Sequence, residues 1–127
     1  MQKDNRLYQL AENVLKNSVK LKKGEKIYIE AFGPAVLDLM EIFIRKATEL
    51  GGVPFYFYND EHLLKAVIDN ASEEQMKAFG ETYRQQMASS DVYVALRGYD
   101  DIFALSDVNE RQMALYMQHY YNPVHRS

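Results

Sequence analysis

Within residues 26–43, KIYIEAFGPAVLDLMEIF, the hydrophobic period changes once, and that change restricts the fold more than any other feature of the chain. Lys26 to Phe32 is an apolar run in which Ile27, Tyr28 and Ile29, β-branched or aromatic, lead a short strand. From Pro34 the spacing turns helical: Val36, Leu37, Met40, Phe43, Ile44 and Ala47 share one face. Gly33 takes the bend and Pro34, with no N–H to lose, opens the helix. A strand that runs straight into a helix is the first half of a βα unit.

The same alternation continues on both sides. Leu7, Leu10, Ala11, Val14, Leu15 and Val19 describe an amphipathic helix capped near Asp4 or Asn5. KLKKGEK follows as a polar connector in which Gly24 is expected to end that helix. Gly51-Gly52 stops the second helix. VPFYFYND reads as a second strand, aromatic throughout, and a strand without polar alternation is expected to be covered on both faces. EHLLKAVIDN is a short helix. The next, SEEQMKAFGETYRQQM, has Ser72 as N-cap, Gln75 placed to complete a capping box, and Met76, Phe79, Tyr83 and Met87 on its buried face. DVYVALRG is a third strand, and VNERQMALYMQHYY a last helix, opened by Asn109 or an earlier cap and closed before Pro123.

Strands alternating with helices predict a three-layer α/β fold: a mainly parallel sheet of at least three strands with right-handed crossovers, flanked by helices. No Gly/Pro/Ser-rich linker divides residues 1–127, so a single α/β domain is expected. Three strands leave both sheet edges open. The expectation is therefore an incomplete part of a larger domain, with oligomerisation as the other way to cover what is missing.

Composition removes several classes of chemistry. Without cysteine there is no disulfide framework, thiolate metal site or cysteine nucleophile, and the usage suits a reducing cytoplasm. The formal charge of −3 gives no basic excess for nucleic acid or anionic membranes. The polar N-terminus lacks a signal-peptide core, and no run reaches the length of a membrane span. Ten tyrosines are not interleaved with basic residues as a base-stacking surface requires, so they read as core and interface packing. Met113, Tyr116, Met117 and Tyr120 form a stripe suited to the missing remainder or a second subunit.

The Gly33 turn fails as a phosphate cradle. A dinucleotide fingerprint needs three spaced glycines and a P-loop needs Gly-Lys-Ser/Thr; neither occurs. His62, His119 and His125 include no i, i+4 pair and no His-Glu-x-x-His. Ligands of open α/β sheets gather at the carboxyl ends of strands. That rule singles out Asn59, Asp60 and His62 after the second strand, and Arg97, Asp100 and Asp101 after the third, as ligand-contact or substrate-cavity candidates. Arg97 can recognise a carboxylate, and paired acids can bind a cation or act in proton transfer. Each also has a local role to fill: Asn59 or Asp60 as a helix cap, His62 as a solvated first-turn residue, and Asp100-Asp101 as a turn with an N-cap. No catalytic or metal-ligating residue is identified.

Several stretches in combination resemble the N-terminus of the M29 family of metal-dependent aminopeptidases. They are the Leu10-Ala11 helix with Asn17-Ser18-Val19, then Lys23-Gly24-Glu25-Lys26 before the strand, then the long helix ending in ATELGGVPF. Asp91-Val92-Tyr93-Val94 followed by Arg97-Gly98 looks like the family's third strand, and LSDVNERQMALY like the segment after it. The resemblance implies the N-terminal part of a longer two-domain cytoplasmic exopeptidase that removes N-terminal residues from peptides. Such an enzyme carries two divalent metal ions, zinc or cobalt, and assembles as a homodimer. It also implies that the metal ligands, Glu, His, Asp and a Tyr, lie in the C-terminal domain; no position of this chain matches them. The family tends to have Glu-Asn where this chain has Asp100-Asp101. Two other readings stand beside it: a stand-alone α/β binding module using the strand ends near Asn59–His62 and Arg97–Asp101, and, last, nucleotide binding at the first βα turn.

Overall fold

In the computed structural model, residues 5–97 are described. The final helix expected over 109–122, its Met/Tyr stripe, Asp100, Asp101, His119, His125 and the candidate cap Asp4 lie outside them. The described residues divide into two compact units, 5–58 with 90–97, and 59–89.

The first unit holds the sheet. Helix α1 (Asn5–Asn13) runs into a wider π-type turn, Val14–Ser18. Strand β1 (Lys26–Phe32) leads through Gly33 and a 3₁₀ turn, Pro34–Val36, into helix α2 (Leu37–Glu49). Strands β2 (Val53–Asn59) and β3 (Val92–Arg97) complete a parallel sheet in the order β2-β1-β3, which gives the chain an α/β fold. Gly33 sits at φ 102°, ψ 144°, a conformation that side chains rarely adopt, and Pro34 occupies the first helical turn. The expected turn is thus formed, with 3₁₀ geometry before the α-helix proper.

Strand β1 is central, and its register with β3 pairs Tyr28 with Tyr93, Glu30 with Ala95 and Phe32 with Arg97. Side chains alternate between faces. One face carries Ile27, Ile29, Ala31 and Val94, which join Ala11, Leu15, Met40, Ile42, Phe43 and Ala47 in one buried cluster. Helix α1 packs on α2, and α2 on β1. The other face carries Tyr28, Glu30 and Phe32 beside Tyr93, Ala95 and Arg97.

Two expectations for this unit are corrected. Strand β2 is not covered on both faces: Val53, Phe55 and Tyr56 are 43%, 50% and 63% exposed. Among the described strands it lies at an edge, with β1 on one side only. Gly24 does not end the first helix. The helix stops at Ser18, and Lys20 takes the left-handed backbone at φ 52°, while Gly24 (φ 86°) turns the connector later.

The second unit contains helices α3 (Glu61–Ile68) and α4 (Glu73–Ala88). The capping box of α4 is formed: the Gln75 N–H donates to Ser72 Oγ at 3.1 Å, and the Ser72 N–H donates to Gln75 Oε1 at 2.8 Å. The buried seam of α4 runs through Met76 and Gly80 with Tyr83 and Met87 half-buried; Phe79 lies beside it, 41% exposed. The expected face was therefore displaced by one residue at its second position.

Candidate functional site

The carboxyl end of a parallel sheet is the default ligand position because strand ends open there into connecting loops. At the end of β3 stands Arg97, exposed. Its charge acts on Glu30, which lies on the same face of β1. Parallel register explains the grouping. Glu30 is paired with Ala95, so Tyr93 and Arg97 flank it two residues before and two after along the neighbouring strand. Below them Tyr28 and Tyr93 stack with centroids 6.1 Å apart and planes 15° from parallel. Tyr28 is 2% exposed.

Burial pushes the Glu30 carboxyl above the ordinary carboxylate range, while the Arg97 charge pulls it partway back. A carboxyl held this way combines an acid, a phenol and a guanidinium at one strand end. It offers a hydrogen-bonding and charge-recognising patch, with no nucleophile activated by a base.

Asn59 and Asp60 fill the local roles available to them. The Asp60 N–H donates to Asn59 Oδ1 at 2.9 Å, and the Leu63 N–H donates to Asp60 Oδ1 at 2.8 Å, which caps α3. His62 is an exposed first-turn residue of α3. Its neighbour Glu61 is the buried one, at 7% exposure. Of the six candidates, Asn59 and Asp60 are joined by a hydrogen bond, Arg97 belongs with Glu30 and Tyr93, and Asp100 and Asp101 lie outside the described residues.

Glu30 and Tyr93 escape the strand-end rule because it looks after a strand rather than within it, whereas Glu61, between Asp60 and His62, lies where the rule looks. A signal was present in Glu30, an acid inside an otherwise apolar run. Among the described residues no three of His, Cys, Asp and Glu come together as metal ligands would. No described helix is long and apolar enough to cross a membrane.

Comparison with known proteins adds identity to this geometry. A family model described as thermophilic metalloprotease (M29) matches residues 3–125. The solved structure of wild-type AmpT from Thermus thermophilus is similar with a TM-score of 0.70 and 19% sequence identity, over 94% of this chain and 31% of that one. At that identity the likeness speaks for the fold, and the chain spans about a third of that protein's length. No curated protein matches the chain.

Proposed function

The chain belongs to the M29 family of thermophilic metalloproteases, and from that premise we propose that it forms the N-terminal scaffold domain of a metal-dependent aminopeptidase, an enzyme that removes N-terminal residues from peptides. The family match over residues 3–125 carries the reading. In it, the metal chemistry belongs to the C-terminal part of the full-length enzyme, where two divalent ions, zinc or cobalt, polarise the scissile carbonyl and activate water. This domain contributes a wall to the substrate cavity from its strand ends, with Arg97 as a carboxylate-recognising group. The full enzyme is a cytoplasmic homodimer acting on peptides.

The 127-residue chain is accordingly expected to be inactive by itself. Incubation with leucine-p-nitroanilide and added cobalt or zinc should release no nitroaniline above the metal-only rate. Saturable, metal-dependent turnover by the purified chain would overturn the proposal, because it would place a complete catalytic centre within these residues.

A further inference from the structure

The order of the strands distinguishes one pair of strand ends from the rest. From β1 the chain moves to β2 on one side, and after α3 and α4 it returns to β3 on the other. The neighbours of β1 are thus reached in opposite directions, and the boundary between β1 and β3 is a topological switch point. In open α/β sheets ligands bind outside the carboxyl ends of the strands at such a boundary, because the connections leaving the two strands diverge there. The rule selects the ends of β1 and β3 and passes over the end of β2.

The residues at that boundary suit one small anionic group. At the end of β1, Gly33 is buried at φ 102°, ψ 144° and turns the chain toward α2 without a side chain, so a ligand can come close to the backbone. At the end of β3, Arg97 is exposed and in register with Phe32. Glu30 lies two residues before Phe32 on the same face, and the buried Tyr28, stacked on Tyr93, two residues before that.

Arg97 differs from the arginines on helices. Arg45 pairs with Glu41 at 3.0 Å and Arg84 pairs with Glu81, each within its own helix and exposed. The acid on which the Arg97 charge acts is a half-buried residue of another strand. Burial disfavours ionised Glu30, so it offsets the guanidinium less than a solvated carboxylate would. Asp38, in the first turn of α2, is exposed and stabilised by that helix's own N-terminus.

We propose that the strand ends at the β1/β3 switch point bind the C-terminal carboxylate of a short peptide, with Arg97 as its anchor. One guanidinium fork matches one carboxylate. A phosphate is held by successive backbone N–H groups or by several cations. Here Pro34 has no N–H, and the Val36 N–H already donates to the Gly33 carbonyl at 3.2 Å. That the carboxylate belongs to a peptide rests on the aminopeptidase reading above; that the site takes a carboxylate rests on the switch point and Arg97. An enzyme that cuts at the amino end of a peptide while holding its carboxyl end through this domain favours short peptides over long ones.

The test titrates the 127-residue chain with tri-alanine, tri-alanine amide, Ala-Asp-Ala amide and inorganic phosphate, following backbone amide shifts by NMR. Tri-alanine should give saturable shifts at residues 30–33 and 95–97. Its amide should bind at least about tenfold more weakly, as expected for losing one charge-assisted contact. Arg97→Gln should weaken tri-alanine by a similar factor. Arg97→Lys should weaken it by about threefold, because the ammonium keeps the charge and loses the fork. Lys26→Gln makes the same charge change at the amino end of β1 and should leave binding unchanged. No saturable shift with tri-alanine, equal binding of its amide, equal weakening by Lys26→Gln, or tighter binding of phosphate would overturn the site. Ala-Asp-Ala amide binding as tightly as tri-alanine would overturn the C-terminus as its ligand. The scaffold reading is tested separately, since leucine-p-nitroanilide has no carboxylate for Arg97 to hold.

Discussion

Strands β1 and β2 invert what their compositions suggest. β1 (KIYIEAF) contains two charged residues, β2 (VPFYFYN) none, and β2 holds four aromatic rings against two. Yet β1 is the central strand, with Ile27, Ile29 and Ala31 fully buried, while β2 leaves Phe55 and Tyr56 half or more exposed. Apolar content reports how willing a strand is to be buried; its place in the sheet decides whether it is. That place depends on which strand the next crossover reaches, and here the chain returns from α4 to the far side of β1 instead of extending beyond β2.

The largest expected effect tests the inversion directly. Ile29 sits in the core cluster against α2, so Ile29→Ala removes buried methylenes and leaves a cavity, costing about 3 kcal/mol. Phe55→Ala deletes a larger side chain from a half-exposed edge position and should cost about 1 kcal/mol or less. Urea denaturation of the two variants checks the ranking. If Phe55→Ala proves the more destabilising, β2 is buried in solution and its edge position is wrong.

Much of this was legible beforehand. The order of strands and helices, the Gly33-Pro34 turn and the Ser72–Gln75 capping box are set by neighbours within four residues, and such local chemistry can be read from spacing. Strand order and burial on both faces depend on pairings such as Glu30 with Ala95, 65 positions apart, and no local window contains them. The Glu30–Tyr93–Arg97 group was hidden for the same reason: register, a long-range property, brings it together. Arg97 stands out as a strand-end residue, whereas Glu30 and Tyr93 lie inside strands, where only the register links them to it. One local clue to the edge was present in Pro54, which cannot donate to a ladder.

The next effect follows from the charge that the central strand tolerates. Burial raises the folded-state pKa of Glu30 above its ordinary value of 4.5. The folded state therefore holds the proton more tightly than the unfolded state does. Between the ordinary value and the raised one the native chain binds more protons, so this group's contribution to stability falls as pH rises through that window and is constant above it. Glu30→Gln should flatten that part of the stability–pH curve, and chemical denaturation at intervals from pH 4 to 8 reads it. A curve unchanged by the substitution would mean that Glu30 is solvated and that β1 does not carry a desolvated acid.

The smallest effect on folding concerns Pro54, and it probes the edge from its open side. The Val53 N–H donates to the Glu25 carbonyl at 2.8 Å, so the backbone of Val53 faces β1. Alternation then turns the next residue's N–H position outward, and proline there sacrifices no bond within the sheet. Pro54→Val should change the stability of the monomer by no more than about 0.5 kcal/mol, since the regained N–H meets water and the added strand propensity offsets the lost rigidity. Its consequence should appear between molecules instead. A proline on an edge strand blunts pairing with a second chain, and removing it lengthens an exposed edge whose side chains are already apolar. Sedimentation velocity over a range of concentrations should show more self-association in Pro54→Val than in the parent. A gain in monomer stability above about 1 kcal/mol would instead show that position 54 faces a partner strand inside the fold, because only an inward N–H regains a ladder bond.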